Sequence, residues 1–487
     1  MSGPYATLAA VSDVDPSVPT PPGSAPALTA DDILRLTGGR LLARSERPIR
    51  GAAVDSRLVS AGQLFVALPG ERTDGHLHID DAVGRGAAAV LVTRQVEDPT
   101  VFGDVTIVRV ADALAALGAV AAGWRQQFDP LVVGITGSIA KTSTKEAVAT
   151  VLGGALRTLK TEGNQNNEVG LPLTLLRLGP EDEAAVLEMG MYVSGEIADL
   201  AAMAQPSIGV VTAVQPVHLS RIGTLEAVER AKGELLEALP ADGTAVLNAD
   251  DRIVTRMDRR TAARVVRYGF DDSADVRAIA VTSSGADGMA FRLRTAVGER
   301  AIRVPTLGRL SVHNAAAAAA VGLAAGLSLE SIGASLEGGW AAPHRVELVR
   351  LRGVTVIDDS YNASPGSVAA ALELLAGLPG RRVAVLGEML ELGEAHDAGH
   401  RAVGEAAAAI AELVVVVGAG AGGIAAGAKD AGLDPGRIHA VPDADVALDV
   451  LRPRLRDGDV VLVKASRGIG LDRLVDTLRL ELGEAAR

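Results

Sequence analysis

The stretch Leu131–Lys145, LVVGITGSIAKTSTK, decides the fold. Leu131–Val133 read as the end of a buried strand. Gly134, Thr136, Gly137, Ser138, Ile139 and Ala140 read as a glycine-bearing loop, and Lys141, Thr142, Ser143 and Thr144 as the opening of a helix. In that layout the backbone N–H groups of a tight loop and a helix N-terminus converge on phosphate oxygens. Lys141 supplies a point charge for β- and γ-phosphates, and the Thr142 hydroxyl can reach a Mg²⁺. A plain strand–turn–helix would explain any one of these residues, but not their coincidence.

The usual phosphate-loop pattern has glycine directly before the lysine, where this chain has Ala140, and a first glycine where it has Ile135. Gly134 and Gly137 stand in their place, so the spacing is Gly134-x-x-Gly137-x-x-Ala140-Lys141-Thr142.

Composition narrows the class. A chain of 487 residues is long enough for about three domains, each with its own core. The net charge is −13, with both signs spread along the chain, which excludes the basic stripe of a nucleic-acid binder. Cysteine is absent, so neither disulfides nor thiolate metal sites exist. With only five Phe, two Trp and four Tyr, the cores must be aliphatic, which suits α/β layers. The N-terminus shows no basic segment followed by an apolar run, so no secretory leader is expected. Ala406–Ala428 is the most membrane-like stretch. Glu412 and Gly418, Gly420, Gly422 and Gly423 interrupt it, so no spanning helix is expected. A cytoplasmic monomer is expected.

Along the chain, a loose Pro/Ser/Ala tail is expected over residues 1–27 and a first α/β domain over 28–128. A central domain is expected over 129–341 and a third over 342–487. In the first, Asp31-Asp32 is expected to cap a helix, and Asp55-Ser56-Arg57 reads as a surface turn. In the central domain Thr161–Glu168, with Asn166 and Asn167, is an amide-rich loop too polar for a core. Strands alternating with helices predict a parallel sheet. Glu188 and His218 fall at its carboxyl edge beside the phosphate loop, where ligands of such sheets bind. Together they predict a Mg·ATP site. His313-Asn314 is expected to precede a helix of small residues over Ala315–Ala325.

In the third domain the strand Val354–Ile357 runs into Asp358-Asp359-Ser360-Tyr361-Asn362-Ala363-Ser364-Pro365, and another into Gly387-Glu388-Met389-Leu390. Gly418-Ala419-Gly420-Ala421-Gly422-Gly423 matches the dinucleotide fingerprint after a strand. The ribose-binding acid about 20 residues on has no well-placed candidate, so no dinucleotide site is expected. Lys464-Ala465-Ser466-Arg467 forms a basic tip suited to phosphate.

This motif set resembles the Mur ligases over roughly Leu28 to Leu482. The resemblance implies three domains: a small α/β UDP-binding domain, a central P-loop ATPase domain built on a parallel sheet, and a C-terminal Rossmann-like α/β domain. It implies an ATP- and Mg²⁺-dependent ligase that adds D-alanyl-D-alanine to UDP-MurNAc-tripeptide through an acyl phosphate. Ser56 and Arg57 become UDP-sugar contacts, and Asn166, Asn167, Tyr361, Asn362 and Ser364 substrate contacts. ATP would meet the loop residues from Gly134 to Ser143, with Asn314, Arg345, Asp359 and Lys464. The metal would be held by Thr142, Glu188, His218 and Lys232, the last N-carboxylated. Lys141, Glu188, His218 and Lys232 would carry the catalysis. Departures are Ala140, Ala465 in place of the glycine of Lys-Gly-Ser, and Ser220 in place of an acid. A related folyl-polyglutamate or cyanophycin-type amide ligase, or a nucleotide-binding homologue with attenuated turnover, remains open at this point.

Overall fold

The computed structural model describes residues 26–70, 73–215, 224–390 and 392–483. Their contacts divide them into two compact units. The first holds the described residues up to Val214 together with Glu229–Val266. The second holds Arg267–Leu323 and the chain from Leu327 onward.

The first unit contains two sheets. One comprises β1 (Arg40–Ala43), β2 (Ala52–Ala53), β3 (Leu64–Val66), β4 (Ala89–Val92) and β5 (Thr106–Arg109), in the order β1-β5-β4-β3-β2. Only β1 runs antiparallel. Its core is aliphatic apart from Phe65, with Val90 and Ile107 fully buried against it. The first helix, Ala30–Thr37, is capped by Thr29 and not by Asp31-Asp32. Thr29 Oγ1 accepts from Asp32 N and the Asp32 carboxylate accepts from Thr29 N. This reciprocal box satisfies two otherwise orphaned donors, which a double acid inside the first turn cannot do.

The other sheet comprises β6 (Leu131–Thr136), β7 (Thr158–Lys160), β8 (Ala184–Glu188), β9 (Ile208–Val211) and β10 (Thr244–Asn248). They run in the order β10-β9-β6-β8-β7, all parallel. β6, β8, β9 and β10 are buried almost throughout, as a sheet covered on both faces requires. β6 sits between β8 and β9, so the loop after it opens over the carboxyl ends of both neighbours.

The second unit departs from the expected strand–helix alternation. β11 (Arg264–Gly269) enters it and pairs in parallel with β12 (Val276–Ser283). An antiparallel meander through β13 (Met289–Thr295) and β14 (Gly298–Val304) follows. Its connections are too short for a crossover helix. Along β13, Met289, Phe291 and Leu293 face inward and Arg292 and Arg294 outward. The small-residue helix runs Gly308–Ala324, so His313 and Asn314 lie within it and do not precede it. No Pro stands between Gly308 and Asn314 to delay the helix.

The last sheet holds β15 (Glu347–Arg350), β16 (Val354–Asp358), β17 (Arg381–Gly387), β18 (Leu413–Val417), β19 (Ile438–Val441) and β20 (Asp459–Lys464). The order is β15-β16-β20-β17-β18-β19, parallel except for β15. Alternate residues feed two cores, with Ile357, Ala384 and Leu462 on one face and Val356, Val383 and Val461 on the other. Among the described residues no helix is long and apolar enough to cross a membrane.

Candidate active site

β6 ends at Thr136 and the helix Lys141–Gly153 begins after four intervening residues. The turn between them is fixed by β9 and the residues that follow it. Thr212 Oγ1 donates to Ile139 O at 2.6 Å, and Ser138 N donates to Ala213 O at 2.8 Å. A Cβ on Gly137 would lie 1.9 Å from Thr212 Oγ1, so that glycine is required by close approach. Gly134 lies inside β6, where a Cβ would press on Leu235 at 2.8 Å; packing asks for that glycine. Ala140 occupies the N-cap with φ 64° and ψ 0°, a left-handed conformation. Ser138, Ile139, Ala140, Lys141 and Ser143 are partly exposed, and Lys141 Nζ donates to Gly137 O at 2.8 Å. The Thr136 hydroxyl is buried without a partner among the described residues.

Behind the loop, Thr142 Oγ1 donates to Glu188 Oε2 at 2.8 Å, and Asn166 Nδ2 donates to Glu188 Oε1 at 2.8 Å. Glu188 is the last residue of β8 and is buried. Three expected site residues thus converge. Asn167 does something else: its Oδ1 accepts at 2.9 Å from the backbone N–H of Gly170, the first residue of the helix Gly170–Leu175. Lys232 is buried, and no carboxylate among the described residues is paired with it. Burial, and then the neighbouring Lys141 charge, hold its pKa well below the ordinary lysine value. His218 and Ser220 lie outside the described residues.

In the small sheet domain, Ser56 is buried and Arg57 reaches back to Asp55, Nη2 to Oδ2 at 2.6 Å. Arg57 is largely exposed, and its guanidinium holds the Asp55 carboxyl below its usual range. His76 ties the neighbouring turn together, with Nδ1 on Asp74 Oδ1 at 2.6 Å and Nε2 accepting from Thr93 N at 3.0 Å.

The second unit carries the remaining candidates. Asn314 is buried, and the His313 ring lies 4.9 Å from that of Tyr268 and 5.6 Å from that of Phe270. Lys464 ends β20 and pairs with buried Asp359 at 2.5 Å, while also donating to Asn362 O at 2.8 Å. Burial pushes the Asp359 carboxyl up, and Lys464 pulls it back. Arg345 stacks on the Tyr361 ring at 3.9 Å, and Arg467 donates to the Tyr361 hydroxyl at 2.8 Å. Ser364 caps the helix Pro365–Gly377, and Asn362 Oδ1 accepts from Ala363 N. Their side chains are thus engaged within the loop. The glycine fingerprint receives a side chain of this domain: Gly420 N donates to Glu388 Oε2 at 3.0 Å, and a Cβ on Gly420 would lie 2.1 Å from Glu388 Oε1.

Family models match the chain in three consecutive segments. They are a Mur ligase family catalytic domain over residues 48–125, a Mur ligase middle domain over 135–322, and a Mur ligase glutamate ligase domain over 344–467. The chain belongs to the Mur ligase family. It is 39% identical over 500 aligned residues to the UDP-N-acetylmuramoyl-tripeptide--D-alanyl-D-alanine ligase of Mycobacterium tuberculosis, covering 93% of this chain and 97% of that protein. Among solved structures, a crystal structure of MurF from Acinetobacter baumannii superposes with a TM-score of 0.84 at 29% identity, covering 94% of this chain and all of that one. The MurF ligase from Thermotoga maritima in complex with ADP superposes at 0.76 with 29% identity, covering 89% and 98%.

Within this Mur ligase two sequence departures have different consequences. Ala140 is left-handed. Ala465 has no positive φ and is buried, and a Cβ on Gly387 would lie 2.5 Å from its own. That alanine fills space Gly387 leaves open and carries no backbone strain. Thr161, whose hydroxyl accepts from Glu188 N, and Thr212, which pins Ile139, were not legible as site residues. Each is a single hydroxyl whose importance depends on which strand ends lie beside it.

Proposed function

We propose that this Mur ligase joins D-alanyl-D-alanine to UDP-MurNAc-tripeptide at the expense of ATP, in the synthesis of peptidoglycan precursors. One observation carries the reading. The Thr142–Glu188 pair stands directly behind a phosphate loop, in a chain similar over 93% of its length to a ligase so named. The reading implies a cytoplasmic monomer with three domains over about the spans the sequence suggests.

A carboxylate and an amine do not condense unaided, because oxide is a poor leaving group. In the first step the tripeptide carboxylate oxygen bonds to the γ-phosphorus and the bond to ADP breaks, giving an acyl phosphate. The dipeptide nitrogen then bonds to the acyl carbon, loses a proton, and inorganic phosphate leaves. Both steps need positioning and charge neutralisation and no protein nucleophile. Lys141, freed from Gly137 O, would meet the β- and γ-phosphates, and the amides from Gly137 to Lys141 would cradle them.

A hydroxyl and a carboxylate held 2.8 Å apart are the hard oxygen donors that Mg²⁺ prefers, with phosphate and water completing its shell. Thr142 and Glu188 would hold it, with His218 and an N-carboxylated Lys232 as further ligands. When bound, Mg²⁺ supplies charge neutralisation on the phosphate oxygens. Asp359, Lys464, Arg345 and Asn314 would serve ATP. Ser56 and Arg57 would contact the UDP-sugar and Tyr361 the dipeptide. Asn166, Asn167, Asn362 and Ser364 would act through the loops they fix.

Phosphate release tests the reading. It should require ATP, Mg²⁺, UDP-MurNAc-tripeptide and D-Ala-D-Ala together. Equal release with glutamate or diaminopimelate replacing the dipeptide would overturn the assignment.

A further inference from the structure

Lys145 is fully buried, and the mechanism does not use it. A buried ammonium must be paired and hydrogen-bonded to be tolerated. Its Nζ pairs with Glu146 Oε1 at 2.8 Å and donates to Thr161 O at 2.6 Å. The other Glu146 oxygen meets Lys160. Thr161, also fully buried, accepts at Oγ1 from the backbone N–H of Glu188 at 3.0 Å and donates its own N–H to Val186 O at 3.0 Å. From the same loop, Asn166 reaches the Glu188 carboxylate, and Asn166 O accepts from Gly190 N at 2.8 Å. The amide-rich loop therefore grips the end of β8 at both backbone and side chain, and Lys145 holds the carbonyl of the first residue of that loop.

We infer that Lys145 and Thr161 are positioning residues for Glu188, fixing where its carboxylate stands relative to Thr142. The inference rests on the reading that Glu188 holds the metal. Ligands to metals lose affinity when the groups orienting them are removed, commonly by about 10- to 100-fold. A residue that merely fastened the helix Lys141–Gly153 to β7 would change melting temperature and leave cation affinity alone.

The test uses the full chain and Mn²⁺ followed by electron paramagnetic resonance in the presence of ADP, alongside the Mg²⁺ dependence of phosphate release. Thr161→Val keeps the volume and removes the acceptor. It should weaken Mn²⁺ binding and raise half-saturating Mg²⁺ by about tenfold, with the KM for D-Ala-D-Ala within about twofold. Thr161→Ser keeps the hydroxyl and should behave as the wild type. Lys145→Met should shift the same quantity in the same direction. Should Thr161→Val fail to fold, Thr161→Ala removes the same acceptor with less volume and reads the same constant. Unchanged Mn²⁺ affinity in folded Thr161→Val or Thr161→Ala overturns the inference, and so does a Thr161→Ser variant as weak as Thr161→Val. A wild type that releases no phosphate, with Thr161→Val still loosening Mn²⁺, would sink the ligase reading and leave this one standing.

Discussion

Thr142 donates its hydroxyl to Glu188 at 2.8 Å across 46 residues of sequence. The bond joins the first turn of the phosphate-loop helix to the last residue of β8, and it brings two oxygen donors to one point. Glu188→Gln keeps the shape and removes the charge. The variant should lose on the order of 100-fold in kcat, the scale for deleting one preorganised charge-stabilising group, and its Mg²⁺ requirement should rise. Steady-state kinetics at varied Mg²⁺ checks this; wild-type kcat in Glu188→Gln would remove Glu188 from the metal site.

Lys232 is buried without a carboxylate partner among the described residues, and burial first, then Lys141, favours its neutral amine. A neutral amine is the form that adds CO₂. A bare ammonium there would repel the metal, whereas the N-carboxylated form would attract it. Lys232→Ala should therefore lose most activity and recover part of it with short carboxylic acids or bicarbonate. Mass spectrometry under native conditions should find the added carboxyl on the wild type. A fully active Lys232→Ala without additives would refute the role.

His344 Nδ1 lies 2.8 Å from Oδ2 of buried Asp358, and that hydrogen bond is the first cause raising the His344 pKa above 6.5. Because the folded value exceeds the unfolded one, the pair's stabilisation is complete below the unfolded pKa and disappears as pH rises through the folded pKa. The melting temperature gap between wild type and His344→Gln should be widest near about pH 6 and narrow towards about pH 9. A gap constant across that window would show that the charge on His344 contributes nothing.

How much of this was legible varies with the kind of signal. The phosphate loop, the parallel β6–β10 sheet and Glu188 at a strand end follow from local apolar runs and from glycine, lysine and hydroxyl spacing. The meander β12–β14 was not among the expected elements, although Phe291 and Leu293 alternate with Arg292 and Arg294 as in a half-buried strand. Asn166 was expected at substrate and is bonded to Glu188, a pairing that only the tertiary fold creates. His344 and Val346 have φ of 60° and 54° on either side of Arg345. Histidine enters the left-handed region more readily than most residues, but a β-branched valine there is an outlier that its residue type does not announce.

Ala140 is the residue at which sequence and geometry speak to one quantity. Glycine is usual before the lysine because the loop turns tightly and approaches phosphate, and here the position is left-handed with φ 64°. Alanine in that conformation costs roughly 1–2 kcal/mol. If all of that strain falls on nucleotide binding, the loss is about five- to thirtyfold, since about 1.4 kcal/mol is tenfold. Such a loss weakens a nucleotide site without abolishing it, because Lys141, Thr142, Glu188 and the remaining amides persist. The expected wild type is thus an active ligase with a raised KM for ATP, and Ala140→Gly should tighten ATP several-fold with little change in the KM for D-Ala-D-Ala. Isothermal titration with ADP separates binding from turnover. Equal affinities in the two proteins would mean that the strain is borne by the fold and not by the ligand. A wild type without turnover, restored by Ala140→Gly, would instead identify this chain as a nucleotide-binding homologue held back by one methyl group.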